Sequence, residues 1–170
     1  MDTCQNIEER CNKGLQYART FVCDLCRKYD LKPIEVYAED YKEEDNDRPA
    51  RFSCDSDGNV YIAYKKIRLL IKKDIIEREL RHEFRHYLQF VNYSKLFLWW
   101  MVKHQKLYKD FQNSTDTHNR ILAYKYCPLE IDACAFANND KVDEDILKNA
   151  SFDLNHWRKI LEENVSEKKN

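Results

Sequence analysis

Residues that interrupt helices and form tight turns are scarce in this chain, which has two glycines and three prolines among 170 residues. Glycine and proline are the strongest local breaks in regular structure, so their scarcity favours long helices joined by few tight turns. Hydrophobic residues make up 43% of the chain, which is enough to build a core, and this length suits one domain. We therefore predict a single globular domain over residues 1–170.

Hydrophobic periodicity predicts that the chain begins with a helix and continues into a strand. Apolar residues recur at helical spacing over residues 5–29. The segment IEVYAE, residues 34–39, alternates and is rich in strand-forming residues, which predicts a first strand. The acidic run that follows, residues 39–49, predicts a solvated loop.

A β-hairpin is predicted over RFSCDSDGNVYIAY, residues 51–64, because Asp57-Gly58 is a strong turn signal between two alternating runs. Two interpretations of its second arm, residues 60–64, stay open. The arm is either an ordinary strand of the sheet or an edge strand that pairs with an extended peptide.

The second half of the chain is predicted to be helical. Asp74 and Glu77 suit a capping box at the start of a helix of about 20 residues. The pattern further predicts a helix over 94–111, a loop over 113–119, a helix over 128–138 and two short terminal helices. The first of these helices includes the apolar run LFLWWMV, which we expect to lie in the core. The sequence therefore predicts an α+β domain.

The helix predicted from Asp74 carries the motif H-E-x-x-H, formed by His82, Glu83 and His86. Residues i and i+4 lie one above the other on a helix, so the two histidines can offer nitrogens to one metal ion. Glu83 is rotated by roughly 100° from His82, which places its carboxylate at the edge of the same face. In zinc hydrolases two neutral imidazoles hold the ion, and a carboxylate that is not a ligand takes a proton from water. Chance alone gives this motif in roughly one chain in a hundred of this composition, so further support is needed.

A catalytic zinc site needs a third protein ligand, with the fourth position left for water. The downstream candidates are His104, His118, Glu130, Asp132, Cys134 and His156. We favour Glu130, because the helix predicted around it is rich in small residues and small residues let two helices approach closely. The alternative for Glu130 is a charge that stabilises the N-terminus of its own helix. Asp132 points away from Glu130 on a helix, and we expect it to act as an acceptor behind the ligands.

Two segments together, RHEFRHYLQ at residues 81–89 and PLEIDACAFA at residues 128–137, resemble the ImmA/IrrE-type zinc metallopeptidases of the wider gluzincin group. The family pattern is an H-E-x-x-H helix followed by a helix of the form E-x-[E/D]-A-x-x-F-A. The resemblance implies that Zn2+ is bound by His82, His86 and Glu130, and that Glu83 is the general base of a peptidase. It also implies a minimal zincin-like fold, with an N-terminal helix, a small three-stranded sheet, the motif helix and C-terminal helices.

Some features depart from the family pattern or stay open. Cys134 stands four residues after Glu130, where many relatives carry an acid or Asn. The residue that would stabilise an oxyanion is not fixed by the sequence, and Tyr124, Tyr126 and His118 are the candidates. One alternative function is a non-catalytic binding module that retains the fold, with zinc structural or absent. Another is a small regulatory protein in which the histidines are incidental.

The remaining sequence features bear on location and partners. The opening residues are polar, and the longest apolar run, residues 96–102, is far shorter than the ~20 residues of a membrane span. Seven cysteines, an odd number without a regular framework, favour reduced thiols. We expect a cytoplasmic protein without a membrane span that acts on a protein or peptide substrate. The net charge of −1 gives no clear sign of a nucleic-acid site.

Overall fold

A computed structural model of the chain describes the backbone of residues 2–40, 49–55, 57–112, 127–138 and 159, and their side chains except those of 2–5 and 104–112. The described part is α+β, as predicted. Its elements are helix α1 (Asp2–Lys28), strands β1 (Glu35–Glu39), β2 (Ala50–Cys54) and β3 (Val60–Lys65), a 3-10 helix (Lys66–Leu70), and helices α2 (Lys73–Asn92), α3 (Ser94–Gln112) and α4 (Pro128–Ala137). The chain divides into two compact units, residues 1–87 and 88–170.

In the first unit, α1 buries an apolar stripe. Ala18, Val22 and Cys26 recur every four residues and are almost completely buried, which confirms the helical spacing read from the sequence. Gly14 lies where α1 passes the 3-10 helix. A Cβ built on Gly14 would lie 2.4 Å from the carbonyl oxygen of Leu69, so this approach has no room for a side chain.

The three strands form one sheet in the order β1-β3-β2, with β1 parallel and β2 antiparallel to β3. The predicted hairpin is confirmed, and Gly58 at its turn has a φ of 82°, which glycine adopts without strain. Because β3 lies at the centre of this sheet, the interpretation of residues 60–64 as an edge strand is wrong. The edges are β1 and β2. The central place of β3 explains why Ile62, Ala63 and Tyr64 are all fully buried.

Helix α2 begins two residues earlier than the predicted capping box requires. The amides of Ile75 and Ile76 both donate to the carbonyl of Lys72, so Asp74 lies inside the first turn and is not the N-cap. Glu77 does not close a box either, because its carboxylate accepts the hydroxyl of Tyr17 and pairs with Arg81. Asp74 still supplies negative charge to the helix N-terminus, which is favourable there.

Polar contacts within the first unit fix α2 at several points. The buried hydroxyl of Tyr64 donates to the carboxylate of Glu79, which is also paired with Arg68. Farther along α2, the hydroxyl of Tyr87 donates to the carbonyl of Lys32 at 3.0 Å. These contacts hold the face of α2 that carries the motif in one orientation relative to the sheet.

The second unit contains the end of α2 together with α3 and α4. Phe90 and Phe97 pack edge to face, with ring centroids 5.9 Å apart. The expectation that residues 96–102 lie in the core holds for Phe97 and Trp100, which are buried, while Leu98, Met101 and Val102 are exposed. In α4, Pro128 occupies the first turn, as predicted, and Leu129, Ala133 and Ala137 are buried.

Several predicted segments lie outside the described residues. They are most of the acidic loop, the loop over 113–119 and both terminal helices apart from residue 159. Among the helices that the structure describes, none is long and apolar enough to cross a membrane.

Candidate metal centre

Helix α2 presents the two motif histidines side by side. The ring centroids of His82 and His86 lie 4.9 Å apart, with the ring planes nearly perpendicular at 85°. His86 and Glu83 are each only 8% exposed, so both face the interior. The alternative of two surface histidines on an amphipathic helix therefore does not hold for His86, while His82 is partly exposed.

The carboxylate of Glu83 is held by the sheet. The backbone N–H of Phe52, in β2, donates to Oε2 of Glu83 at 2.6 Å. In an antiparallel pair, residues that exchange hydrogen bonds with the partner strand alternate with residues whose backbone groups point away from it. The amides of Lys65 and Asp55 donate to the carbonyls of Pro49 and Asn59, and this register leaves Phe52 among the outward-pointing residues. Glu83 therefore accepts an amide that the sheet itself does not use.

The predicted third ligand lies at the start of α4. Glu130 is in the first turn of that helix, where a negative charge also stabilises the helix N-terminus. Asp132 is 1% exposed and accepts a hydrogen bond from the side chain of Gln89. This contact is with a glutamine and not with a proposed ligand, so the part of Asp132 as an acceptor behind the ligands stays a prediction.

Among the residues that the structure describes, one group of three potential metal ligands is found, namely His82, His86 and Glu130. One ligand atom of each lies within 4.8 Å of the others, and none of the three is exposed. Cys134 is exposed and is not part of this group. His118, His156 and the side chain of His104 lie outside the described residues, as do Tyr124 and Tyr126.

The donor set of this group fits zinc. Two imidazole nitrogens and one carboxylate oxygen are the ligands found in many catalytic zinc sites. Ligand atoms around one tetrahedral zinc ion lie about 3.4 Å apart, given bonds of about 2.1 Å. The three atoms, within 4.8 Å of one another, are somewhat farther apart than this spacing.

A buried thiol near the start of α4 is not part of this group. Cys127 is buried directly before α4, and burial raises the pKa of its thiol to about 12. It is therefore protonated at neutral pH as long as no metal ion contacts it.

Two contributors to the site were not found from the sequence: the backbone of Phe52 and the side chain of Gln89. The sequence does not indicate a backbone donor, because every residue except proline carries a backbone N–H. Gln89 had a weak signal, since it lies seven residues after His82 on the same face of α2. Comparison of the chain with protein-family models, curated proteins and solved structures found no match in any of the three. Membership of the metallopeptidase family therefore stays a prediction from the two motifs.

Proposed function

We propose that this chain is a zinc-dependent peptidase in which His82, His86 and Glu130 hold the ion and Glu83 is the general base. The observation that carries the proposal is the group of three partly or fully buried ligands, with Glu83 next to one of them on the same helix. Zinc in such a ligand set lowers the pKa of a water molecule toward ~7 and polarises a substrate carbonyl.

The chain's own contribution to the reaction is the handling of a proton by Glu83. Its Oε2 is fixed by the amide of Phe52, which orients the carboxylate. A carboxylate has about four acceptor positions, so the group retains the capacity to take a proton from water. The same carboxyl group then returns the proton to the amine that leaves when the peptide bond breaks.

A peptide substrate is supported by the edge strand β2. Alternate residues of β2 turn their backbone groups away from β3, as the amide of Phe52 does toward Glu83, and extended peptides pair along the edge strands of sheets. The proposed pairing strand is thus β2 and not residues 60–64. Phe52, whose amide holds Glu83, belongs to this strand, so a paired peptide would lie beside the proposed base.

The test is hydrolysis of a broad peptide library by the wild type and by Glu83→Gln, with zinc content measured in parallel. Loss of a general base typically lowers the rate by 10²–10⁴-fold, and Glu83→Gln should do so while it keeps the zinc. An unchanged rate in Glu83→Gln would show that Glu83 is not the base. If the wild type binds zinc and cleaves no peptide, the non-catalytic binding module is the better account.

A further inference from the structure

Gln89, near the end of α2, is a fully buried polar side chain, 0% exposed. Its Nε2 donates to the carbonyl oxygen of Leu129 at 2.9 Å and to Oδ2 of Asp132 at 2.6 Å. A carbonyl and an ionised carboxylate only accept hydrogen bonds, so the amide nitrogen must face them. Both hydrogens of that nitrogen are used by these two contacts.

The two acceptors lie on either side of Glu130 in the chain. Leu129 directly precedes Glu130, and Asp132 follows it by two residues. A single amide group therefore fixes the backbone before Glu130 and a side chain after it. All three groups are buried, so water does not readily replace the donor, and its loss would be costly.

We propose that Gln89 is a positioning residue, which sets the place of Glu130 as a metal ligand by anchoring both flanks of the turn that carries it. This inference rests on the proposed function, because it takes Glu130 to bind zinc. Groups that orient metal ligands typically change metal affinity by 10–100-fold when they are removed. A residue that only supported folding would change stability and leave the zinc affinity of the folded protein unaltered.

The experiment compares Gln89→Met with the matched control Leu88→Ala. Methionine has nearly the length of glutamine but no donor, whereas Leu88 is a buried neighbour, 4% exposed, whose truncation weakens packing alone. Zinc affinity is measured by competition with a chromophoric chelator, and thermal melts of the metal-free proteins show how much each change destabilises the fold. Absorption of the Co2+-loaded proteins reports the number and geometry of the ligands.

Gln89→Met should bind zinc about 10–100-fold more weakly than the wild type and alter the Co2+ spectrum. Leu88→Ala, at an equal or greater loss of melting temperature, should do neither. If folded Gln89→Met binds zinc as the wild type does, Gln89 is not a positioning residue, although the metal centre stands. If the wild type itself binds no zinc, the proposed function fails and this inference fails with it.

A second pair of variants covers the case in which Gln89→Met does not fold. Asp132→Leu removes the buried carboxylate that accepts from Gln89, so Gln89→Met combined with Asp132→Leu replaces both partners by apolar groups. The double variant still lacks the side-chain donor to the Leu129 carbonyl. It should therefore bind zinc at least about tenfold more weakly than Asp132→Leu alone. Equal affinities in these two proteins would overturn the proposal.

Discussion

The backbone amide of Phe52 donates a hydrogen bond of 2.6 Å to Oε2 of Glu83 and so joins the edge strand β2 to the motif helix. Because the amide points away from β3, proline can replace Phe52 without loss of a bond between strands. Hydrogen bonds to charged groups are worth about 1.5–3 kcal/mol, so we expect Phe52→Pro to lower the free energy of unfolding by that much more than Phe52→Ala. Chemical denaturation of the two variants measures the difference.

Glu83→Ala supplies the control for this comparison. With the acceptor removed, the amide of Phe52 has no carboxylate to lose, and the extra cost of proline over alanine should fall below about 1 kcal/mol. A cost that is the same with and without Glu83 would mean that proline acts through the strand and not through this hydrogen bond.

Gly14→Ala is predicted to destabilise the fold, although alanine is the better helix former by about 1 kcal/mol. The new Cβ would lie 2.4 Å from the carbonyl oxygen of Leu69, which is backbone and cannot rotate away. Overpacking of this kind costs about 1–3 kcal/mol, measured as a loss of unfolding free energy. Asn12→Ala, at an exposed position of α1, is the control and should be neutral or slightly stabilising. A more stable Gly14→Ala would refute the close approach of α1 to the 3-10 helix.

Stability in alkaline solution should depend on Tyr17. Donation of its hydroxyl to the carboxylate of Glu77 raises the pKa of Tyr17 from 10.0 to about 12. A pKa raised in the folded state stabilises the fold below pH 10 and loses this effect as the pH rises toward about 12. Tyr17→Phe should flatten the fall of unfolding free energy over that range, and Glu77→Gln should flatten it in the same way. If both variants follow the wild-type pH dependence, the hydroxyl and the carboxylate do not interact in solution.

Replacement of Glu130 should affect zinc more than replacement of Asp132. Glu130→Gln removes a proposed ligand, whereas Asp132→Asn alters a carboxylate that accepts from Gln89. We expect Asp132→Asn to weaken zinc binding by about 10–100-fold and Glu130→Gln to weaken it further. Chelator competition with folded proteins gives both values. If Glu130→Gln binds zinc with wild-type affinity, Glu130 is not the third ligand, and the candidates are His104, His118 and His156.

Local signals in the sequence predicted the elements of the fold, because each depends on neighbours in the chain. The hairpin follows from the turn at Asp57-Gly58, and α1 follows from the spacing of its buried residues. The order of the strands could not be predicted in this way, since the pairing of β1 with β3 joins residues far apart in sequence. The start of α2 was also misplaced. Tyr17 and Arg81 contact the carboxylate that the local pattern assigned to a capping box.

In the candidate site, too, local sequence signals predicted some residues, while contacts between distant residues could not be predicted. His82, Glu83 and His86 could be chosen from spacing alone, because a helix places residues four apart on one face. Glu130 was chosen from its helix and from the resemblance. The partners of these residues depend on tertiary structure: a strand amide for Glu83, and a glutamine that binds both flanks of Glu130. A lone buried glutamine has no periodic signature that distinguishes it from a surface glutamine.

Zinc binding by the metal-free protein tests the central claim most directly, measured by titration of the wild type and of Glu83→Gln, His86→Ala and Glu130→Gln. The three-ligand site predicts about one zinc ion per chain, bound equally by the wild type and Glu83→Gln, and much weaker binding by the other two variants. A folded wild type that takes up no zinc at micromolar concentration would contradict this account. Loss of zinc in Glu83→Gln would also contradict it, because Glu83 would then be a ligand and not the base.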